Sequence, residues 1–193
     1  MIGFALAAAL AVASQAAESR PPANAMVAFN DGCDWGLDGL DSLPEDVERL
    51  GWRTFEPVPG SQLASHLEAG RAEAGGAYRL RTFSQQIGGR DIYLVLSEDR
   101  SPSGGVRMAC RMLDFGAPEP VGLADLVRWA GRHPDGGIGD YGQSSWGHFW
   151  EPGLSEGHDR TEIYHVPSQS PLRESDHLSG MIFSTVRTSE RPQ

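Results

Sequence analysis

The clearest pattern in the chain lies between Val106 and Met112, where Val106, Met108, Cys110 and Met112 alternate with Arg107 and Arg111. A period of two puts the apolar set on one face of a β-strand and the arginines on the other, so Cys110 is expected to point inward. Tyr78, Leu80 and Thr82 alternate with Arg79 and Arg81 in the same way. Between these two runs, Ile92-Tyr93-Leu94-Val95-Leu96 is continuous and rich in β-formers, as expected of a strand covered on both faces. Turns at Gly88-Gly89 and Ser101–Gly105 would join the three into an antiparallel meander. Further strands are predicted at Ser145–Trp150, Thr161–Val166 and Gly180–Arg187.

Helical spacing appears three times. Ser42 and Glu45 form a capping box, Pro44 suits the first turn, Val47 and Leu50 share a face, and Gly51 ends the helix. Ser61 caps a second helix with Leu63, Leu67 and Ala74 on one side, broken by Gly75-Gly76. A third spans Val121–Arg132, with Leu123, Leu126, Val127 and Ala130 at the spacing of an apolar stripe, and Gly131 and Pro134 as its stop. The predicted order is ααβββαβββ, without the βαβ alternation that a parallel sheet needs. The fold class is therefore α+β: one domain, a mostly antiparallel sheet of five or six strands, and about three helices packed chiefly on one face. Its expected core contains Val47, Leu50, Leu94, Leu96, Met108, Met112, Leu126, Val127, Ile182 and Phe183.

The first residues follow a different rule. Ile2–Ala17 is rich in alanine and leucine and carries no charge, and its end, Ser14-Gln15-Ala16-Ala17, is small enough for a signal peptidase. Charge and proline begin at Glu18, Arg20, Pro21 and Pro22. This is the layout of a cleaved secretory signal, although Met1 alone supplies the positive end. An alanine-rich run this short falls below the ~20 residues of a membrane span, so no stable membrane anchor is expected after cleavage. Residues 1–17 are read as the signal and 18–193 as one exported domain, periplasmic or secreted, with an irregular segment over 18–41.

Composition narrows function mainly by exclusion. The net charge of −10 repels phosphate backbones, so nucleic acid is not an expected partner. All 16 basic residues are arginine. Without lysine there is no P-loop, no Schiff base, no Ser-Lys dyad and no kinase-type ATP site. The two cysteines, Cys33 and Cys110, are expected to form a disulfide in an oxidising compartment.

Four constellations offer chemistry, and each fails at a required position or competes with a plainer role. His148, His158, His165 and His177 lie among Glu151, Asp159, Glu162 and Asp176. Zinc takes such ligands, but their spacing matches no compact ligand motif. Gly142-Gln143-Ser144-Ser145-Trp146 approaches a nucleophile elbow, except that Trp146 replaces the second glycine. Asp31, Asp34, Asp38 and Asp41 suggest a calcium loop, but Cys33, Trp35 and Ser42 occupy ligand positions. Tyr141, Trp146, Phe149 and Trp150 cluster beside glycines, where exposed aromatics would anchor a partner.

The expected function is thus a non-enzymatic exported binding module using Trp146, Phe149 and Trp150 within the region 135–157. Its partner would be a protein, a peptide or a small molecule, and no cofactor is called for. The alternative is a small exported hydrolase or metalloenzyme built on His148, His158, His165 and His177.

Overall fold

Eight strands hydrogen-bond into one antiparallel sheet among the described residues, which in this computed structural model are 21–34, 39–41, 44–74, 77–139 and 145–189. In chain order the strands are β1 (Arg53–Thr54), β2 (Ala77–Ile87), β3 (Arg90–Arg100), β4 (Val106–Asp114), β5 (Gly136–Ile138), β6 (Trp146–Trp150), β7 (Arg160–Val166) and β8 (Gly180–Ser189). They lie in the order β1-β2-β3-β4-β8-β7-β6-β5. Two four-stranded meanders therefore meet along β4 and β8, where Cys110 pairs with Thr185 and Met112 with Phe183. The helices are α1 (Pro21–Cys33), α2 (Pro44–Arg49), α3 (Gln62–Glu73), α4 (Leu123–Ala130) and α5 (Leu172–Ser175).

This corrects the expected architecture of five or six strands and three helices in the order ααβββαβββ. The additional elements are those with the weakest side-chain signal. β1 has two residues, within the stretch Trp52–Phe55 that reads in the sequence as a short extended piece before Pro57 and Pro59, and β5 is Gly-Gly-Ile, held by backbone pairing to Phe149, His148 and Gly147. α5 is a single turn. α1 occupies most of the segment expected to be irregular. Its prolines fall in the first turn, where a missing N–H is tolerated.

Helices cover both faces of the sheet, not one. On the first face Ala25, Met26, Phe29 and Cys33 of α1, Val47 of α2 and Leu126 of α4 pack with Leu94, Leu96, Cys110, Met112 and Phe183. Trp129 of α4 meets Phe29 at 6.2 Å between ring centroids and Trp150 edge-on at 6.3 Å. On the second face Leu63 and Leu67 of α3 pack with Val95, Leu113 and Ile182, and Leu172 of α5 leans on them. Each fully buried large side chain contributes roughly 1.5–3 kcal/mol of hydrophobic stabilisation. Strand β3 feeds both cores, which is why its apolar run is continuous. Leu50 remains 39% exposed and Val127 half-buried, so neither belongs to the centre of a core.

The Cys33–Cys110 disulfide is present and joins the last residue of α1 to the middle of β4, with a Cα–Cα distance of 5.7 Å. Among the described residues no helix is long and apolar enough to cross a membrane. The expected signal at 1–17, Ser42 of the capping box, Tyr141 and Ser144 lie outside the described residues.

Candidate functional site

The second face of the sheet is only partly covered. Helix α3 begins firmly: Ser61 accepts a hydrogen bond from the Ala64 N–H at 3.2 Å, and Leu63 and Leu67 press into the sheet. One turn later the residues it turns to the sheet shrink to Ala69 and Gly70, followed by Ala74 at its C-cap. Ser97 and Ala109 face them from β3 and β4 and are small as well. Short side chains on both sides cannot close the gap between helix and sheet. A cavity of about 340 Å³ results, with an open mouth and further walls from Tyr78, Asp99, Arg107, Arg111, Tyr164, Asp176 and Leu178.

Strand alternation supplies the charges. Arg107, Ala109 and Arg111 share one face of β4, and they pair across to Asp99, Ser97 and Val95 of β3. Arg111 is half-buried. Among the described residues its side chain makes no hydrogen bond and no ion pair. A cation in this position has given up water without gaining a carboxylate, which is unusual for a guanidinium partly withdrawn from solvent.

His66 and Tyr164 flank it. The backbone carbonyl of Asp176 can only accept, so His66 donates from Nδ1 to that oxygen at 3.0 Å. Burial holds the His66 pKa below its ordinary value, and the nearby positive charge of Arg111 adds to the same direction. The neutral ring keeps Nε2 as an acceptor. Burial pushes the Tyr164 hydroxyl pKa up, opposed in part by Arg111. The arrangement therefore presents a guanidinium, a neutral imidazole and the protonated phenol of Tyr164. Among the described residues His66 hydrogen-bonds no serine, threonine or cysteine.

The residues singled out in the sequence fall elsewhere. Trp150 is 0% exposed on the first face, where its Nε1–H donates to the Arg132 carbonyl at 3.4 Å. Trp146 shares that face and meets His148 edge-on at 6.3 Å. Phe149 lies on the opposite face beneath the Arg160 guanidinium, 4.2 Å from the ring centroid. A period of two separates Phe149 from the two tryptophans, so the three do not form one surface.

The histidines are also dispersed. His148, His158 and His165 are buried. His158 contacts the Thr185 hydroxyl through Nδ1 at 2.9 Å, and His165 donates from Nε2 to the Ala117 carbonyl at 3.2 Å. His177 lies beyond α5 with a φ of 55°. Among the described residues no three histidine, cysteine or acidic side chains are placed to hold a metal ion. Asp34 accepts from Ser155, and Asp41 pairs with Arg79, while Asp38 lies outside the described residues. The cavity residues carried a partial signal. The alternation that placed Arg107 and Arg111 together was legible, but the helix laid over them was not.

The buried histidines make stability depend on pH. Burial lowers the pKa of His66, His148 and His158. The unfolded chain therefore takes up protons first as the pH falls. Stability should decline from about pH 6.5, the ordinary histidine value, and level off once the native values are passed. Asp114, raised by burial, works in the opposite direction at lower pH. Thermal melts between pH 7.5 and 5 should show a falling midpoint, and a flat profile across that window would contradict the assignment.

Compared with known proteins, the chain matches no family model, no curated protein and no solved structure.

Proposed function

We propose that this chain is an exported binding domain, periplasmic or secreted, that holds a small organic anion in the cavity between α3 and the second face of the sheet. The observation that carries this reading is Arg111, a half-buried guanidinium without an ion pair among the described residues, at the floor of that cavity. Arginine presents a planar fork that suits a carboxylate or phosphate in two-point contact. The phenols of Tyr78 and Tyr164 and the imidazole of His66 supply orientation around that anchor. Export is supported by the uncharged run Ile2–Ala17 and by a disulfide of the kind that persists in oxidising compartments.

Calorimetry with a panel of carboxylates and phosphate monoesters tests the site. Arg111→Gln should weaken any binding by about 10- to 100-fold, the usual worth of a charged hydrogen bond, with the circular dichroism spectrum unchanged. Gly70→Leu is the complementary variant. A Cβ at Gly70 meets nothing within 4 Å, so the added side chain grows into the cavity and should block binding while improving helix propensity by up to about 1 kcal/mol. Binding that survives both substitutions would place the ligand elsewhere and sink the proposal.

A further inference from the structure

We infer that the ligand is zwitterionic, a free amino acid or an equally small molecule that carries an ammonium group as well as a carboxylate. The inference rests on Arg111 anchoring an anion and adds a second pole to the same cavity. That pole is Asp99. It faces the cavity from β3, and its side chain, like that of Arg111, makes no hydrogen bond and no ion pair among the described residues. Its Oδ1 atom is shut off from solvent without a partner. A carboxylate in that position is as poorly satisfied as the guanidinium on the neighbouring strand.

The two charges could have neutralised one another and do not. Asp99 lies in the row formed by Tyr78, Asp99 and Arg107, while Arg111 lies opposite Val95. The intervening row contributes Ser97 and Ala109, both too short to bridge them. Even Arg107, directly across from Asp99, forms no ion pair with it. The cavity thus holds opposite charges apart over a floor of small residues. A simple anion would be attracted at one end and repelled at the other. A molecule with both charges satisfies each pole, and the Tyr78 ring beside Asp99 adds a surface that attracts an ammonium group. On the roof, His66 Nε2 offers a neutral acceptor to the same group.

The test compares matched probes on the full chain. Glycine, alanine, serine, leucine and phenylalanine are each titrated beside the corresponding deaminated acid and decarboxylated amine. At least one amino acid should bind tenfold or more tightly than both of its partners. Asp99→Asn, an isosteric change, should erase that preference while leaving the acid bound as well as before or better. Arg111→Gln should erase the advantage over the amine. If the acids bind as tightly as the amino acids, the zwitterion inference is overturned and the anion site stands. If no amino acid, acid or amine binds, the zwitterion inference falls, and the anion site is decided by the panel of phosphate monoesters and other carboxylates.

Discussion

Replacing Cys33 and Cys110 together by alanine is expected to lower stability by about 4–5 kcal/mol, as the chain-entropy model gives for a loop of this size. The bridge spans 77 residues of sequence, so its loss returns a large loop to the unfolded ensemble. The folded state also loses a staple at a sensitive point. α1 reaches the sheet through Ala25, Met26, Phe29 and Cys33 alone among its described side chains buried in the core, and the bridge fixes the last of these to the central strand β4. Urea denaturation of the wild-type and double-alanine chains measures the difference. The melting midpoint should fall by on the order of 8–20 °C, at 2–4 °C per kcal/mol for a chain of this length. A loss below about 1 kcal/mol would mean that α1 is held by packing and the bridge is incidental. The same thiols report on compartment. Protein isolated from its native source without reductant should carry no titratable thiol, and two free thiols would argue against export.

Gly180→Ala is expected to lower stability by about 3–5 kcal/mol, from backbone strain and overpacking together. Gly180 opens β8 with a φ of 78°, a conformation that side chains with a Cβ rarely adopt. The added atom would also lie 2.0 Å from the Asp114 carbonyl oxygen and 3.0 Å from the carbonyl carbons of Asp114 and Phe115. Those are backbone atoms and cannot rotate away. They are also pinned, because the Arg90 guanidinium holds the Asp114 carboxylate at 2.8 Å and the Ala117 N–H donates to the Asp114 carbonyl at 3.2 Å. Relief would require β8 to part from the end of β4, the seam where the two meanders meet. Chemical denaturation of the variant is the measurement, and a loss under about 1 kcal/mol would show that this seam yields more easily than its contacts indicate.

Much of the sheet was legible because alternation reports which residues share a face within one strand. The β4 alternation, the continuous run in β3 and the disulfide were all readable from local pattern and cysteine count. What alternation does not report is which faces of two strands coincide, since that depends on register. Arg79 and Arg81 of β2 and Arg107 and Arg111 of β4 look like one wet face in the sequence. Pairing of Arg79 with Glu98, and of Val95 with Arg111, puts the first pair on the face of Cys110 and Met112 and the second pair on the opposite one. Neither face is simply wet, and helices lie over both. The cavity was hidden for the same reason, because it is a relation between Gly70 on a helix and Ala109 on a strand, whose separate signals are merely two small residues. α1 and β5 were missed because proline, glycine and aspartate obscure a helix, and because a Gly-Gly-Ile strand carries no pattern at all.

The strand order has a consequence for how the chain finds its fold. Every pairing in the sheet except one joins strands adjacent in sequence, and the exception is β4 with β8. Hairpins between neighbours such as β2 with β3 and β3 with β4 close short loops and form on the microsecond scale, while β1 reaches β2 across α3. The longest loop closure is the event that brings β4 against β8, from Asp114 with Met181 to Val106 with Ser189. If β5 to β8 have already zipped together, the loop to be closed shrinks to the segment around α4, and the closure term, which grows only with the logarithm of length, shrinks with it. The strand order thus makes the docking of β4 on β8, and not the size of the sheet, the step expected to limit the rate of folding.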